Sequence, residues 1–279
     1  MVGAAAAEKN PQDPRTVDTM MVMARLLEKI GLSGLAEAQY NKIAILDYLT
    51  SAQEASNNIM QAVGQATLGK ARCLLDMKEF VKADHLCREI CRSFEPGPVR
   101  SEAAYLWATI AHTLGQREEA ARRLSIVDLA MATPELAVKV EIEKNLLEIA
   151  SGKPPPSTLD ELLPKLSILS ADEVVEYARR VYSGFFDYLA QQNDLNGMQR
   201  MIDNAANGPY VEKLPLKSMS LKLANGVLAE RGLSAFVDCI VRNAGLINAT
   251  EGPDAGASPS LLDSARRLEE LRPKLERFM

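Results

Sequence analysis

Histidine is almost missing from this 279-residue chain, which has only His85 and His112. Imidazole is the side chain best placed for proton transfer near neutral pH and a common metal ligand, so catalysis built on it has two candidates at most. No phosphate-cradling glycine loop, nucleophile elbow or dinucleotide fingerprint occurs. Aspartate and glutamate are spread over helical faces, with no pair that stands apart. The sequence therefore predicts a non-enzymatic protein with no catalytic residue, no cofactor and no metal site. Cysteine is also sparse, at Cys73, Cys87, Cys91 and Cys239. None forms a Cys-x-x-Cys pair, and His85 points away from the helix face that Cys87 and Cys91 share, so zinc-ligand spacing is lacking. Cys87 is expected to pack as a small hydrophobe. The N-terminus lacks the basic start and long apolar centre of a secretory signal. Reduced thiols in the cytosol or nucleus are the expectation. No apolar run reaches the length of a membrane span. An excess of positive charge is absent too: 32 Lys and Arg against 37 Asp and Glu give a net charge of −5. Phosphate binding leans on a basic surface, and the pairs Arg122-Arg123, Arg179-Arg180 and Arg266-Arg267 all lie beside acidic residues.

What the chain does have is one spacing, repeated. Ala24, Leu27, Gly31, Ala36 and Tyr40 stand at offsets 0, 3, 7, 12 and 16. So do Ala71, Leu74, Lys78, Ala83 and Cys87, and again Ala108, Ala111, Gly115, Ala120 and Leu124. Small residues at offsets 0 and 12 let two helices approach closely, and a turn falls near offset 7. That pattern predicts stacked helical hairpins. Phe186, Leu189, Met198 and Ile202 keep offsets 0, 3, 12 and 16, as do Ala224, Val227, Phe236 and Ile240. Tyr177, Tyr182, Phe185, Phe186 and Tyr188 crowd one helix; burial between neighbours is the expected reason, an aromatic-lined partner groove the alternative.

The organisation read from these signals is a disordered lead over 1–15, N-terminal hairpins over 16–150 and a Pro-rich linker over 151–157. C-terminal hairpins over 158–247, a flexible loop over 248–258 and an amphipathic capping helix over 259–279 follow. Helices are expected from Thr16 or Asp18 to Ile30, from Leu35 to Leu49, from the Ser51-x-x-Glu54 capping box to Leu74, and from Glu79 to Ser93. Further helices are expected over Glu102–Leu114, Arg117–Met131 and Pro134–Ala150. Thr158-x-x-Glu161 and Ser170-x-x-Glu173 are further capping boxes.

Residues 16–134 resemble tetratricopeptide repeats, on the pairs Ala24/Ala36, Ala71/Ala83 and Ala108/Ala120 and, in the third repeat, Trp107-Ala108, Gly115, Ala120 and Pro134. Residues 170–247 resemble helical-hairpin repeats more widely, including pentatricopeptide repeats, on Asp194-Leu195-Asn196-Gly197-Met198 and Gly232-Leu233-Ser234-Ala235-Phe236. The resemblance implies an all-α fold, a right-handed α-solenoid of stacked antiparallel hairpins. It implies a scaffold or adaptor subunit that presents a curved surface to a peptide or helix of a protein partner within a larger complex. Carried onto this chain, the family's inner groove falls at Arg72, Tyr105, Thr109 and His112. An RNA-binding repeat protein of the pentatricopeptide kind is the alternative.

Overall fold

The computed structural model describes residues 14–45 and 57–248, and no strand occurs among them. The elements are α1 (Pro14–Lys29), α2 (Ser33–Ala44), α3 (Asn57–Asp76), α4 (Phe80–Ser93), α5 (Pro98–Thr113), α6 (Arg117–Leu124) and α7 (Pro134–Ala150). A single turn, α8 (Leu159–Leu162), leads into a 3-10 turn (Leu163–Ile168). Then come α9 (Ala171–Gln191), α10 (Leu195–Ala206), a second 3-10 turn (Val211–Lys213) and α11 (Leu216–Asn248). The chain divides into two compact units between Val140 and Glu141, a point within α7. The Ser51-x-x-Glu54 box, most of the expected lead and of the 248–258 loop, and the 259–279 helix lie outside the described residues.

The hairpin tips show why offset 7 recurs. Gly31, Lys78, Gly115 and Asn193, each seven residues after the first packing position, have φ of 79°, 61°, 74° and 53°. At each tip the next amide reaches back five residues: Leu32 to the Leu27 carbonyl at 2.9 Å, Glu79 to Leu74 at 2.8 Å, Gln116 to Ala111 and Asp194 to Leu189 at 2.9 Å. The turn residue's own amide reaches back three, as from Gly31 to Glu28 at 3.0 Å. This double bond is the Schellman stop, which satisfies carbonyls that a helix end leaves open. The residue after the turn then takes one conformation in all four cases, with φ between −82° and −88° and ψ between 56° and 75°. The second helix starts from there.

The small residues do what their spacing requires. Ala24, Ala36, Ala71, Ala83, Ala108 and Ala120 are all buried. Ala24 and Val17 of α1 pack with Ala36, Tyr40 and Ile43 of α2 and with Ala66 and Cys73 of α3. Ala71 and Leu74 of α3 pack with Ala83 and Cys87 of α4 and with Ile110 of α5. Each second helix is thus held between its own first helix and the next one.

Some boundaries differ from expectation. α1 begins at Pro14, inside the expected lead, where proline's fixed φ suits a first helical turn. α5 begins at Pro98 for the same reason, four residues before the expected Glu102. α6 stops at Leu124 instead of Met131. Beyond it the Ser125 hydroxyl donates to the Arg122 carbonyl at 2.6 Å, and the Asp128 carboxylate accepts the Ala130 amide at 3.0 Å. Such local bonds compete with the helical ladder. Thr133 caps α7, its hydroxyl oxygen accepting the Leu136 amide at 3.2 Å.

In the second unit Tyr177, Tyr182, Phe185 and Phe186 of α9 are buried and Tyr188 is half-buried, so the aromatic helix is a packed one. Gly184 makes room for Leu146 of α7, which occupies the space a Cβ would need. Residues 151–157 form a loop tied back to α7. The Ser157 amide donates to the Asn145 side chain at 2.8 Å and its hydroxyl to Glu141 at 3.0 Å. The Thr158 capping box forms in full. At the Ser170 box, the hydroxyl donates instead to the Glu173 carboxylate at 2.9 Å. α11 is not straight: Gly232 has φ of 81°. Ala224 and Ile240 share one cluster with Phe236, although a straight helix would hold them about 24 Å apart. The chain folds back at Gly232, giving the hairpin that the offsets predict.

Candidate partner-binding site

Two arginines organise the first unit. Arg72, on α3, donates from Nε to Glu28 Oε1 at 2.7 Å and from Nη2 to Oε2 at 3.3 Å, while Nη1 reaches Glu102 at 2.8 Å. The Tyr40 hydroxyl donates to Glu28 Oε2 at 2.6 Å. One guanidinium therefore ties together α1, α3 and α5, with α2 joined through its tyrosine. Burial alone would raise the Glu28 carboxyl, but Arg72 and Tyr40 outweigh it and hold it below its ordinary value. The same carboxylate, after burial, pushes the Tyr40 phenol up. In the next hairpin Arg123 of α6 has the corresponding role. It donates to Asp84 at 2.7 Å, to Glu119 at 2.7 Å and to the Trp107 carbonyl at 3.0 Å. It also lies 4.4 Å from the centre of the Trp107 ring, a cation–π contact. The indole N–H completes the set, donating to Asp84 at 2.8 Å.

The four expected groove residues divide accordingly. Arg72 is committed to two carboxylates, and Tyr105 is buried, 6% exposed. Thr109 is half-buried, with its hydroxyl donating to the Tyr105 carbonyl at 3.0 Å, and His112 is half-buried one turn further along α5. The structure brings Arg72 to α5 through Glu102, but as a brace between helices. Cys73, Cys87 and Cys91 are buried and unbridged. Burial pushes the first two thiols up to about 12 and the third to about 11, so all three stay protonated at neutral pH and pack as apolar groups.

Open apolar surface lies elsewhere, at the hairpin tips. A cleft of about 710 Å³ sits between α2, α3 and α4, with Leu74, Met77, Val81 and Leu86 as its apolar wall. Val81 is 85% exposed, the most of any large apolar side chain described. The polar rim pairs its own charges: Lys70 with Glu37 at 3.4 Å, and Lys82 with Glu79. The equivalent space in the second unit, between α10 and α11, is smaller, about 290 Å³. Leu195, Leu223 and Val227 line it beside Gln199 and Arg242, which are engaged outside it, Gln199 with Asn243 at 3.1 Å and Arg242 with Asp203 at 2.7 Å. The first cleft is the larger, and an exposed valine stands at its mouth.

Residue-by-residue reading of the sequence missed Val81. A signal was there in the register. At offset 10, where the other N-terminal hairpins have Gly34 and Glu118, this one has a valine. At offset 6, just before the turn, all three have large apolar residues, Ile30, Met77 and Leu114, and all three are exposed. Among the described residues no group of three or more His, Cys, Asp or Glu side chains is arranged to hold a metal, and no helix is long and apolar enough to cross a membrane. Compared with models of protein families, with curated proteins and with solved structures, the chain matches none.

Proposed function

We propose that this chain is a non-enzymatic scaffold or adaptor subunit, a tetratricopeptide-like right-handed superhelix acting in the cytosol or nucleus, and that it holds a protein partner at the tips of its first two hairpins. The observation that carries the proposal is the cleft around Val81. A large β-branched side chain, 85% exposed, stands at the mouth of an apolar wall whose rim charges cancel in pairs. Apolar surface of this kind is costly to leave in water and marks interaction sites. A neutral rim selects against phosphate backbones and suits the apolar face of an amphipathic helix or an extended peptide. The wall is preformed, because Arg72 and Arg123 brace the helices behind it, so binding costs little ordering entropy. Thr109 and His112 would add hydrogen-bonding contacts on α5, with Arg72 and Tyr105 supporting the scaffold from within.

The test is affinity capture at moderate salt with nuclease treatment, followed by mass spectrometry. The proposal expects a reproducible set of proteins whose recovery is insensitive to nuclease. Recovery that disappears with ribonuclease, together with tight and salt-sensitive binding of single-stranded RNA, would replace it with the RNA-binding alternative.

A further inference from the structure

The repeat register picks out one stacking face whose residues are exposed. In α3, the positions five before, two before and two after the first packing alanine are Ala66, Gly69 and Cys73, all buried. Ala66 and Cys73 pack with α2, and Gly69 faces the Tyr40 ring, which fills the space a Cβ would take. In α5 the same positions are Ala103, Leu106 and Ile110, of which Leu106 and Ile110 pack in the cluster that holds Ala83 and Cys87 of α4. These positions are where a preceding second helix lies. In α1 they are Thr19, Val22 and Leu26, and all three are exposed, with Leu26 at 59% and its neighbour Ile30 at 67%. The stripe has the pattern of a covered helix face, and among the described residues no preceding helix lies over it. Repeat stacks close such ends with a polar face; here Arg15 and Thr19 are polar at the start of the stripe, and Val22, Leu26 and Ile30 leave the rest of it apolar and exposed.

We infer that a second copy of this chain covers the stripe, pairing α1 with α1 in antiparallel fashion about a two-fold axis near Ala24. Charge decides the occupant and its direction. Asp18, Arg25 and Lys29, all exposed, fall within about 40° of arc along one flank of Val22 and Leu26, at 100° per residue. In an antiparallel pair each flank meets its own copy. Val22 then lies opposite Leu26 of the second copy, Asp18 at the start of each helix lies opposite Lys29 at the end of the other, and the two Arg25 side chains meet near the axis, one like-charge contact against two of opposite charge. A two-fold interface needs such self-complementarity. A parallel pair would set the charged flank against the apolar one, where Asp18 gains no cation. The contact is one helix wide, below the area of a typical stable dimer, so the association is weak and concentration-dependent.

Sedimentation equilibrium of the full chain tests this, over about 1 to 300 µM to span weak association. The expected result is a mass that rises from monomer to dimer across that range. Leu26→Glu, at an exposed position, should abolish the rise while leaving helicity and melting unchanged. Asp18→Lys should weaken the dimer at least several-fold, and adding Lys29→Asp to it should restore the dimer. Val81→Glu should leave the dimer intact, which separates this inference from the cleft. A monomer at every concentration would overturn the proposal; that is the result if a different protein, or another segment of the same chain, covers the stripe. A dimer indifferent to Leu26→Glu, or no rescue by the charge swap, would overturn it equally.

Discussion

At the scale of single residues, the fold is set by where there is no room. Gly69 lies so close to the Tyr40 ring that a methyl group cannot fit without moving it, and that ring is fully buried. Gly69→Ala should therefore lower the melting temperature, although alanine is the better helix former by about 1 kcal/mol. Ala120→Leu should do the same, since overpacking a closed helix contact costs about 1–3 kcal/mol. Thermal melts followed by circular dichroism check both; two variants that melt like the parent would mean the register is misread. Glu28 gives a pH signature. Its carboxyl is held below the ordinary 4.5 in the folded chain and returns to that value on unfolding. As pH falls below about 4.5, the unfolded chain binds the extra proton first, so stability is present above that pH and drains away below it. The loss of melting temperature between about pH 5 and 3 should be smaller in Glu28→Gln than in the parent.

At the scale of elements, the sequence was most legible where local geometry decides. Offset 7 marked the turn because a helix that must stop and reverse in two residues needs one left-handed residue there. Glycine supplies it in two N-terminal hairpins, asparagine in α9–α10, and Lys78 adopts it at a cost. A lysine in that conformation is strained by about 1 kcal/mol or more, so Lys78→Gly should stabilise the protein by about 0.5–1 kcal/mol, read as a shifted urea midpoint at constant slope. What the pattern did not reveal lies in longer-range contacts. Arg72 reads as a groove cation because nothing within a few residues shows Glu28, 44 positions earlier, closing on it. The end of α6 was hidden for another reason: Ser125 and Asp128 compete with a helix through side-chain bonds that apolar periodicity does not register. The small residues were read correctly in all three N-terminal hairpins because close approach leaves few choices of side chain.

At the scale of the whole chain, what holds the first unit together and what it exposes are different residues. Polar residues of the first helices, Arg72 above all, hold the hairpins to one another, and apolar residues at the tips face outward. The two roles separate experimentally. Arg72→Glu places a third carboxylate between Glu28 and Glu102 and should lower the melting temperature. Val81→Glu changes a residue 85% exposed and should leave the melt unchanged. The most direct measurement is quantitative partner capture by Val81→Glu against the parent chain, at equal folded concentration and with nuclease present. Capture reduced at least tenfold, about 1.4 kcal/mol, with an unaltered melt is the result expected of a protein-binding cleft at the hairpin tips. Capture at the parent's level by the folded variant would contradict it.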